Sequence, residues 1–304
     1  MTIIRPPFPT VLDSTLVASF RSCPRKFFLE YMQHWKPKSQ SVHLVAGAAF
    51  ATGLEISRER FYTDGLSQEE AVAHGLKALL ESYGDFECPE DSAKSATRMA
   101  GALEYYMSVF PMETDHAKPH RVSAEKSGIE FSFAEPIDET NPETGDPILY
   151  VGRMDMIVEY AGGIFGEDDK TTSSLGASWA KQWDLRSQFT GYTWGCKQAG
   201  IPLQGFLVRG VSILKTKYDH AEALTYRHPW MIDRWYEQLL RDVRRMKQMW
   251  EEGYWDYSLD HACTEYSGCI FRQCCLTADP TPWLESGFER RKWNPVTRTE
   301  ELVL

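Results

Sequence analysis

The stretch of sequence that decides the fold runs from Gly152 to Lys170 and reads GRMDMIVEYAGGIFGEDDK. Two short apolar segments flank a Gly-Gly turn in it, and this pattern predicts a β-hairpin. Pairing of the two strands would bring Asp155 on the first strand close to Asp168 and Lys170 on the second. Two carboxylates and a lysine gathered in this way predict a site for a divalent cation and a phosphate group.

The chemistry of such a site follows from the residue types. Two carboxylates can hold a hard cation such as Mg²⁺ or Mn²⁺, with water and a substrate phosphate completing the shell. A nearby lysine can stabilise charge on the phosphate, or position or deprotonate the attacking water. A D-x-K triplet alone has little specificity, and solvated strand ends are the alternative interpretation of Asp155 and the acidic run 167–169. The triplet is followed by Gln188 and Tyr192, four residues apart on a predicted helix, and this longer order is far more specific.

Composition limits the class of protein. The 304 residues include 42% hydrophobic and 13% aromatic residues, which is enough for a substantial core in one large domain or two smaller ones. No apolar run approaches the roughly 18 residues of a membrane helix, and the N-terminus lacks the pattern of a signal peptide. We therefore expect a cytoplasmic protein with no membrane partner. The net charge of -10 argues against coating nucleic acid by bulk charge but allows a local basic groove.

The order of predicted elements favours an α/β fold. Asp13 or Ser14 can cap a helix that extends to about Trp35, which Pro24 would kink or divide. Helices are also predicted over about 42–62, 67–83, 91–110, 180–199 and 229–252. Gly47 and Gly53 in the helix over about 42–62 indicate close packing against another element. Strands are predicted over about 120–136, 152–171, 206–214 and 221–227, and the last fifty residues read as irregular. We interpret residues 1–304 as one domain, with a helical region (1–115), an α/β catalytic core (116–227), and a long helix with a cysteine-bearing tail (228–304).

The cysteines form a second group of candidate ligands. Seven cysteines in a cytoplasmic chain do not suggest a disulfide framework. Thiolates at the spacing of those near the C-terminus bind zinc or an iron–sulfur cluster, and buried free thiols are the alternative. A zinc site made only from the C-terminal cysteines is also possible at this point. The candidates are Cys263, Cys269, Cys274 and Cys275, with Cys23 as a distant one.

The segment from Gly152 to Tyr192 resembles the PD-(D/E)XK nuclease superfamily, and specifically its RecB-like exonuclease branch. This resemblance implies a mixed central sheet flanked by helices, and metal-dependent hydrolysis of DNA, either single-stranded or at ends. Glu125, on the preceding predicted strand, is a weaker site candidate, and a surface carboxylate of that strand is the favoured interpretation. The resemblance implies metal ligation by Asp155, Asp168 and the carbonyl of Asp169, catalysis assisted by Lys170, and orientation of the site and DNA contact by Gln188 and Tyr192.

The cysteine pattern is similar to that of CRISPR-associated exonucleases and of AddB-type nuclease domains. These proteins hold a four-iron cluster with one N-terminal and three C-terminal cysteines. The resemblance implies a structural 4Fe-4S cluster, with structural Zn²⁺ as the alternative, and it favours Cys275 over Cys274. The implied ligands are Cys23, Cys263, Cys269 and Cys275.

One departure from the family pattern affects the expected activity. Many members carry a histidine ligand in a pattern like G-x-x-x-H-x-x-L-E, and Ala51 stands at that position here, while Leu54 and Glu55 fit. Alanine cannot bind metal, so either Glu55 or water fills that side of the shell, or the activity is weak or altered. Glu55 could equally be an ordinary carboxylate on the helix surface. The alternative functions are a non-catalytic DNA-binding or complex-assembly protein on the same fold, and a zinc-stabilised structural protein.

Basic and aromatic residues are interleaved in two helical segments. They could form a groove for single-stranded DNA, with phosphates on arginines and bases on rings. A charged helix face that covers a Trp-rich core is equally compatible with the pattern. The residues are Arg21, Arg25, Lys26, Arg241, Arg244, Arg245 and Lys247, with Trp183, Trp194 and Trp235.

Overall fold

The structure is a computed structural model that describes residues 5–123, 126–265 and 268–303. The chain forms two compact units, each built from separated segments. Within the described residues, the first unit comprises 5–39, 133–152 and 230–303, and the second comprises 40–132 and 153–229. The interpretation of residues 1–304 as one nuclease domain stays a prediction.

The helices and strands have the following bounds. The helices are α1 Ser14–Ser22, α2 Pro24–Phe27, α3 Val42–Tyr62, α4 Gln68–Tyr83, α5 Ala96–Val109, α6 Ser187–Gln198, α7 Pro229–Glu252, α8 Arg272–Cys275 and α9 Thr281–Gly287. The strands are β1 Val11–Leu12, β2 Trp35–Pro37, β3 Lys118–Pro119, β4 Ile129–Thr140, β5 Pro147–Tyr160, β6 Gly163–Thr172, β7 Gly205–Ile213, β8 Tyr218–Tyr226, β9 Phe288–Asn294 and β10 Thr299–Leu302.

The second unit contains a mixed sheet in which β5, β6, β7 and β8 follow one another and β3 lies beside β5. The β5–β6 and β7–β8 pairs are antiparallel, and β6 and β7 are parallel. Helix α6 and its preceding loop connect the parallel pair, as a parallel connection requires a crossover. Helices pack on both faces of this sheet, which confirms the predicted α/β fold with a mixed central sheet.

Side chains of β7 alternate between the two faces of the sheet. Val211 and Ile213 join the core formed by α3, α4 and α5, while Phe206 stacks on Phe189 of α6 with ring centroids 4.5 Å apart. The strand is buried along its whole length because both faces are covered. Odd-numbered residues of β7 therefore face the three N-terminal helices, and even-numbered residues face α6.

Helices α3 and α4 approach each other closely through glycine. A Cβ atom added at Gly75 would lie 1.9 Å from Ser57 Oγ and 2.5 Å from the carbonyl oxygen of Gly53. Gly53 has similarly little space, whereas Gly47 has no atom within 4 Å of such a Cβ. The close packing predicted for α3 is confirmed at Gly53 and is absent at Gly47.

The first unit brings segments from both ends of the chain together. Strand β1 pairs in parallel with the beginning of β5, and β2 pairs with β9, which in turn pairs with β10. Asp13 caps α1 by accepting a hydrogen bond from the Leu16 amide at 2.8 Å, and its other carboxylate oxygen accepts one from Trp293 Nε1 at 2.9 Å. The hydrogen bond from Trp293 links the helix start to the C-terminal hairpin.

Several element predictions are confirmed and others are corrected. Helices over 42–62 and 229–252 are found as predicted, and the chain divides at Cys23, directly before Pro24. The helix predicted from Asp91 begins at Ala96, because Ser95 is the residue whose hydroxyl caps it. The helix predicted from Ala180 begins at Ser187. The prediction of an irregular C-terminus is wrong, since β9 and β10 form a hairpin there.

No helix in the described parts of the chain is both long and apolar enough to cross a membrane.

Candidate active site

The β5–β6 hairpin places its acidic residues on two different sides. Met156 pairs with Glu167, and both point toward the side covered by the N-terminal helices. Asp155 precedes Met156 and Asp168 follows Glu167, so the alternation of a strand turns both to the opposite side, toward α6. Lys170 lies two residues after Asp168 and shares that side. The structure therefore brings together the three residues that the hairpin pattern predicted to be close.

Direct contacts link these residues. The Asp169 amide donates a hydrogen bond to Asp155 Oδ2 at 2.8 Å, which connects the two strands at the site. Lys170 Nζ forms an ion pair with Asp168 Oδ1. Asp168 is only 4% exposed, so its charge is largely removed from water. The arrangement is a buried acidic pocket with one lysine at its edge.

Electrostatics show how strongly the acidic side chains act on one another. Burial, together with repulsion from Asp168 and Asp169, raises the pKa of Asp155 to about 7, although Lys170 opposes this shift. Burial acts to lower the pKa of Lys170, but Asp168 and Asp155 outweigh it, so the pKa of Lys170 is raised. The lysine is thus a cation at neutral pH, and the carboxylates carry more negative charge than one lysine neutralises.

A hard divalent cation fits this donor set. Two buried carboxylates that repel each other gain from a shared dication, and water and phosphate oxygens commonly complete such a shell. The proposed third ligand, the Asp169 carbonyl, belongs to the backbone. Within residues 5–123, 126–265 and 268–303, no group of three or more His, Cys, Asp or Glu side chains is arranged to hold a metal ion. The fit therefore rests on two side chains, Asp155 and Asp168.

Helix α6 contributes Gln188 and Tyr192 on the same side of the sheet. Gln188 Nε2 donates a hydrogen bond to the Tyr192 hydroxyl at 3.1 Å, as expected for residues one helical turn apart. Tyr192 is buried, and it is one of the groups that raise the pKa of Lys170. The structure thus brings the predicted Q-x-x-x-Y pair up to the hairpin site.

Arg227 positions the start of α6, and the sequence did not point to it. Its side chain is buried and donates to Thr190 Oγ1 at 2.9 Å and to the Trp183 carbonyl at 2.7 Å. These bonds join the end of β8 to the helix that carries Gln188 and to the loop before it. The burial of this guanidinium among neutral acceptors lowers its pKa to about 10, so it remains charged at neutral pH.

Arg58 of α3 lies on the other side of β6, and the sequence did not point to it either. It is buried and donates to Glu167 Oε1 at 2.5 Å and to Asp169 Oδ2 at 2.7 Å. The Tyr106 hydroxyl donates to the second oxygen of Asp169 at 2.6 Å. A signal was present in the sequence, because four consecutive charged residues in a buried strand must place two charges on each face.

Arg209 of β7 extends this buried network. It makes two hydrogen bonds to Asp115, at 2.5 and 2.8 Å, and one to Glu222 at 3.1 Å. Glu167 Oε2 lies 3.6 Å from its Nη1 atom. The parallel register of β6 and β7 aligns Arg209 with Asp169, which is why a cation is available here.

The remaining predicted residues have different surroundings. Ala51 is exposed on α3, so no side-chain ligand comes from this position. Glu55 is partly buried, and burial raises its pKa despite the opposing effect of Arg153. Glu125 lies outside the described residues.

A family model for the PD-(D/E)XK nuclease superfamily matches residues 15–276. The match covers most of the chain. The chain belongs to the PD-(D/E)XK nuclease superfamily. Membership implies a nucleic-acid substrate, and divalent metal ions are typical of the superfamily.

Two solved structures are similar to this superfamily member. A proposed exonuclease from Eubacterium rectale has 13% sequence identity and a TM-score of 0.49, with coverage of 88% of this chain and 93% of that one. The structure of a protein called SSO0001 has 14% identity and a TM-score of 0.29, with coverage of 73% and 82%. A search of curated proteins returned no match.

Five of the seven cysteines of this nuclease-family chain lie in the first unit. Four of them line one cavity, together with Arg25, Leu29 and Phe271. Burial raises the pKa of the Cys269 and Cys275 thiols, and the neighbouring cysteines contribute in the same direction. The four that line the cavity are Cys23, Cys263, Cys269 and Cys275.

Cys274 points elsewhere. It is buried in a hydrophobic cluster with Leu29, Phe271 and Leu284. Neighbouring Cys275 is exposed at its surface and reaches the cavity. The thiol of Cys23 accepts a hydrogen bond from the Ser258 amide at 3.5 Å. The cavity thus combines four soft donors with an N–H group directed at one of them, while Cys88 and Cys196 belong to the second unit.

Four of the seven basic residues predicted for the groove are paired with carboxylates. Arg244 lies 2.6 Å from Glu139, which also pairs with Lys247. Further pairs, 2.8 and 2.6 Å long, join Arg245 to Asp256 and Arg21 to Asp242. This pairing favours the charged helix face over a basic groove, because the phosphate contacts of a groove would have to compete with these carboxylates.

Proposed function

We propose that this chain is a metal-dependent deoxyribonuclease of the RecB-like branch, an exonuclease acting on single-stranded DNA or on DNA ends. The observation that carries the proposal is the convergence of Asp155, Asp168, Lys170 and Tyr192 on one side of the hairpin. Each side chain has the chemistry that phosphodiester hydrolysis needs, and the sequence order of the motifs is that of the branch. The preference for DNA and the exonuclease mode rest on that order alone.

The roles follow from the contacts of each residue. Asp155 and Asp168 would hold Mg²⁺ or Mn²⁺ with the Asp169 carbonyl, and the bound metal would supply an activated water and charge neutralisation at the phosphate. Lys170, held against Asp168, presents its positive charge to the phosphate. Tyr192 and its partner Gln188 keep the lysine side of the site in place and contact the DNA strand.

A cleavage assay tests this proposal. Labelled single-stranded DNA is incubated with Mn²⁺ and either the purified protein or its Asp168→Ala/Lys170→Ala double variant. We expect degradation by the parent protein and none above background by the double variant, because the variant lacks a metal ligand and the cation. Equal degradation by the two proteins would show that the activity comes from a contaminant or from another site. The assignment of the nuclease site to the hairpin would then be wrong.

The runner-up is a non-catalytic DNA-binding or complex-assembly protein on the same fold. It is favoured by one observation, the exposed Ala51 in place of the family's histidine ligand. It predicts that the parent protein retains labelled single-stranded DNA in a mobility-shift assay while leaving it intact in Mn²⁺. The cleavage assay and the mobility shift together separate the two functions.

We further propose that Cys23, Cys263, Cys269 and Cys275 hold a structural 4Fe-4S cluster. In such a cluster each cysteine binds a different iron, so four sulfur atoms around a cavity suit it better than a single zinc ion, toward which all four must converge. The placement of Cys274 in a hydrophobic cluster also argues against a zinc site built from the four C-terminal cysteines. Hydrolysis needs no electron transfer, so the role of the cluster would be structural. It would link the first and last segments of the first unit.

The colour of the protein tests the cluster. Protein purified without air should be brown, with broad visible absorbance and iron and sulfide in the preparation. Cys275→Ser should lose the colour, whereas the matched Cys274→Ser should keep it. A colourless preparation that contains zinc, or equal loss of colour in both variants, would contradict the proposed ligand set.

A further inference from the structure

The D-x-K strand is held from both sides at residue 169. On the side of the site, the Asp169 amide donates to Asp155 Oδ2. On the other side, the Asp169 carboxylate accepts hydrogen bonds from Arg58 and Tyr106, one on each oxygen. The peptide unit of Asp169 is therefore restrained through its backbone and its side chain at once.

Arg58 is the group that spans the relevant part of the strand. Its two terminal nitrogens bind Glu167 and Asp169, the residues on either side of Asp168 in the chain. All three side chains of this ion-pair set are almost fully buried, at 4%, 0% and 3% exposed. Because neighbouring side chains of a strand point to opposite faces, fixing 167 and 169 on one face fixes 168 and 170 on the other.

We propose that Arg58 is a positioning residue, which sets the rotation of β6 so that Asp168, Lys170 and the Asp169 carbonyl face Asp155. This inference rests on the proposed function for its metal site but concerns a residue outside that site. Arg58 also places its positive charge between two buried carboxylates and binds the Asp169 side chain, so that Asp169 offers its carbonyl and not its side chain to the site. Without the guanidinium, Asp169 would keep only the Tyr106 hydroxyl and Glu167 only the more distant Arg209. The strand would rotate or shift to relieve the buried negative charge.

The planar fork of Arg58 is essential to this role. A lysine keeps the positive charge but cannot donate to two separated carboxylates in a fixed geometry. We expect Arg58→Lys to weaken Mn²⁺ binding by about 10-fold or more, within the range typical of groups that orient metal ligands. Cleavage at saturating Mn²⁺ should recover to within about 3-fold of the parent, because the ligands themselves are intact.

A second variant covers the case in which Arg58→Lys does not fold. Tyr106→Phe removes the hydroxyl that donates to Asp169 Oδ1 and accepts from Arg58 Nη2, and it keeps the ring in its core position. We expect a smaller weakening of Mn²⁺ binding, about 3-fold, in the same direction. The matched control is Arg98→Lys, since Arg98 lies in the same unit and donates to the backbone carbonyls of Leu214 and Lys217.

The experiment measures Mn²⁺ binding by calorimetry on the full chain, beside cleavage of labelled single-stranded DNA as a function of Mn²⁺ concentration. Weaker binding in Arg58→Lys and Tyr106→Phe, with parent-like binding in Arg98→Lys, supports the positioning role. Parent-like binding in both test variants overturns it, as does a parent protein that binds no Mn²⁺. A parent protein that binds Mn²⁺ without cutting DNA overturns the proposed function alone, and the binding comparison still decides the role of Arg58.

Discussion

Lys170→Met should lower the rate of DNA cleavage by about 10²–10³-fold, the loss typical of removing one group that stabilises developing charge. Methionine keeps the unbranched stem of lysine, so packing beside Asp168 and Tyr192 changes little. Binding of Mn²⁺ should be equal or tighter, because the cation that competes for Asp168 is gone. Initial cleavage rates at saturating Mn²⁺, together with calorimetry of Mn²⁺ binding, check both expectations.

The control and a companion variant make the Lys170 result specific. Lys77 is an exposed lysine of α4, 3.8 Å from Glu81, and Lys77→Met should cleave like the parent. Asp168→Asn should lose both Mn²⁺ binding and cleavage, because it removes a ligand and not the assisting cation. Cleavage by Lys170→Met within about 3-fold of the parent rate would contradict a catalytic role for this lysine.

Arg209→Met is expected to destabilise the protein by about 3–5 kcal/mol, the range for removing one partner of a buried ion pair. Arg209 is only 2% exposed and forms ion pairs with Asp115, Glu222 and Glu167. Methionine fills similar volume but leaves Asp115 and Glu222 without this cation and Glu167 with Arg58 alone. The free energy of unfolding, measured by urea denaturation in metal-free buffer, checks the expected loss.

The pH dependence of this loss has a definite sign. Burial already raises the pKa of Glu167 to about 7, although Arg58 and Arg209 oppose the shift. Asp115 differs, because Arg209 outweighs the effect of burial and its pKa is lowered. Removing Arg209 raises both folded-state pKa values, so the folded variant binds more protons than the unfolded chain, and its stability falls as pH rises. The penalty should therefore be larger at pH 8 than at pH 5.

An exposed pair serves as the control for Arg209. Arg60 and Asp64 lie 2.5 Å apart on the surface of the same unit, both more than 40% exposed. Arg60→Met should cost at most about 0.5 kcal/mol and show little dependence on pH. Similar losses in the two variants would mean that the buried network contributes no more than a surface ion pair.

The sequence alone determined the features that depend on local patterns. Apolar alternation around a Gly-Gly turn is specific to a hairpin, and the spacing of Gln188 and Tyr192 is specific to one helix face. The hairpin pattern by itself predicted that Asp155, Asp168 and Lys170 share one site. The helices over 42–62 and 229–252 were also readable, the first from its Ala-rich sequence and the second from Pro229, which suits a first helical turn.

Only the tertiary structure decided which charges are buried together. Arg58 and Glu167 are 109 residues apart, and Arg209 and Asp115 are 94 apart, so their pairing depends on how helices pack against the sheet. The C-terminal hairpin was unreadable for a related reason, since β9 is defined by its partner β2 near the other end of the chain. Periodicity specifies which face a side chain occupies, but the identity of its partner across a packed interface is a property of the whole fold.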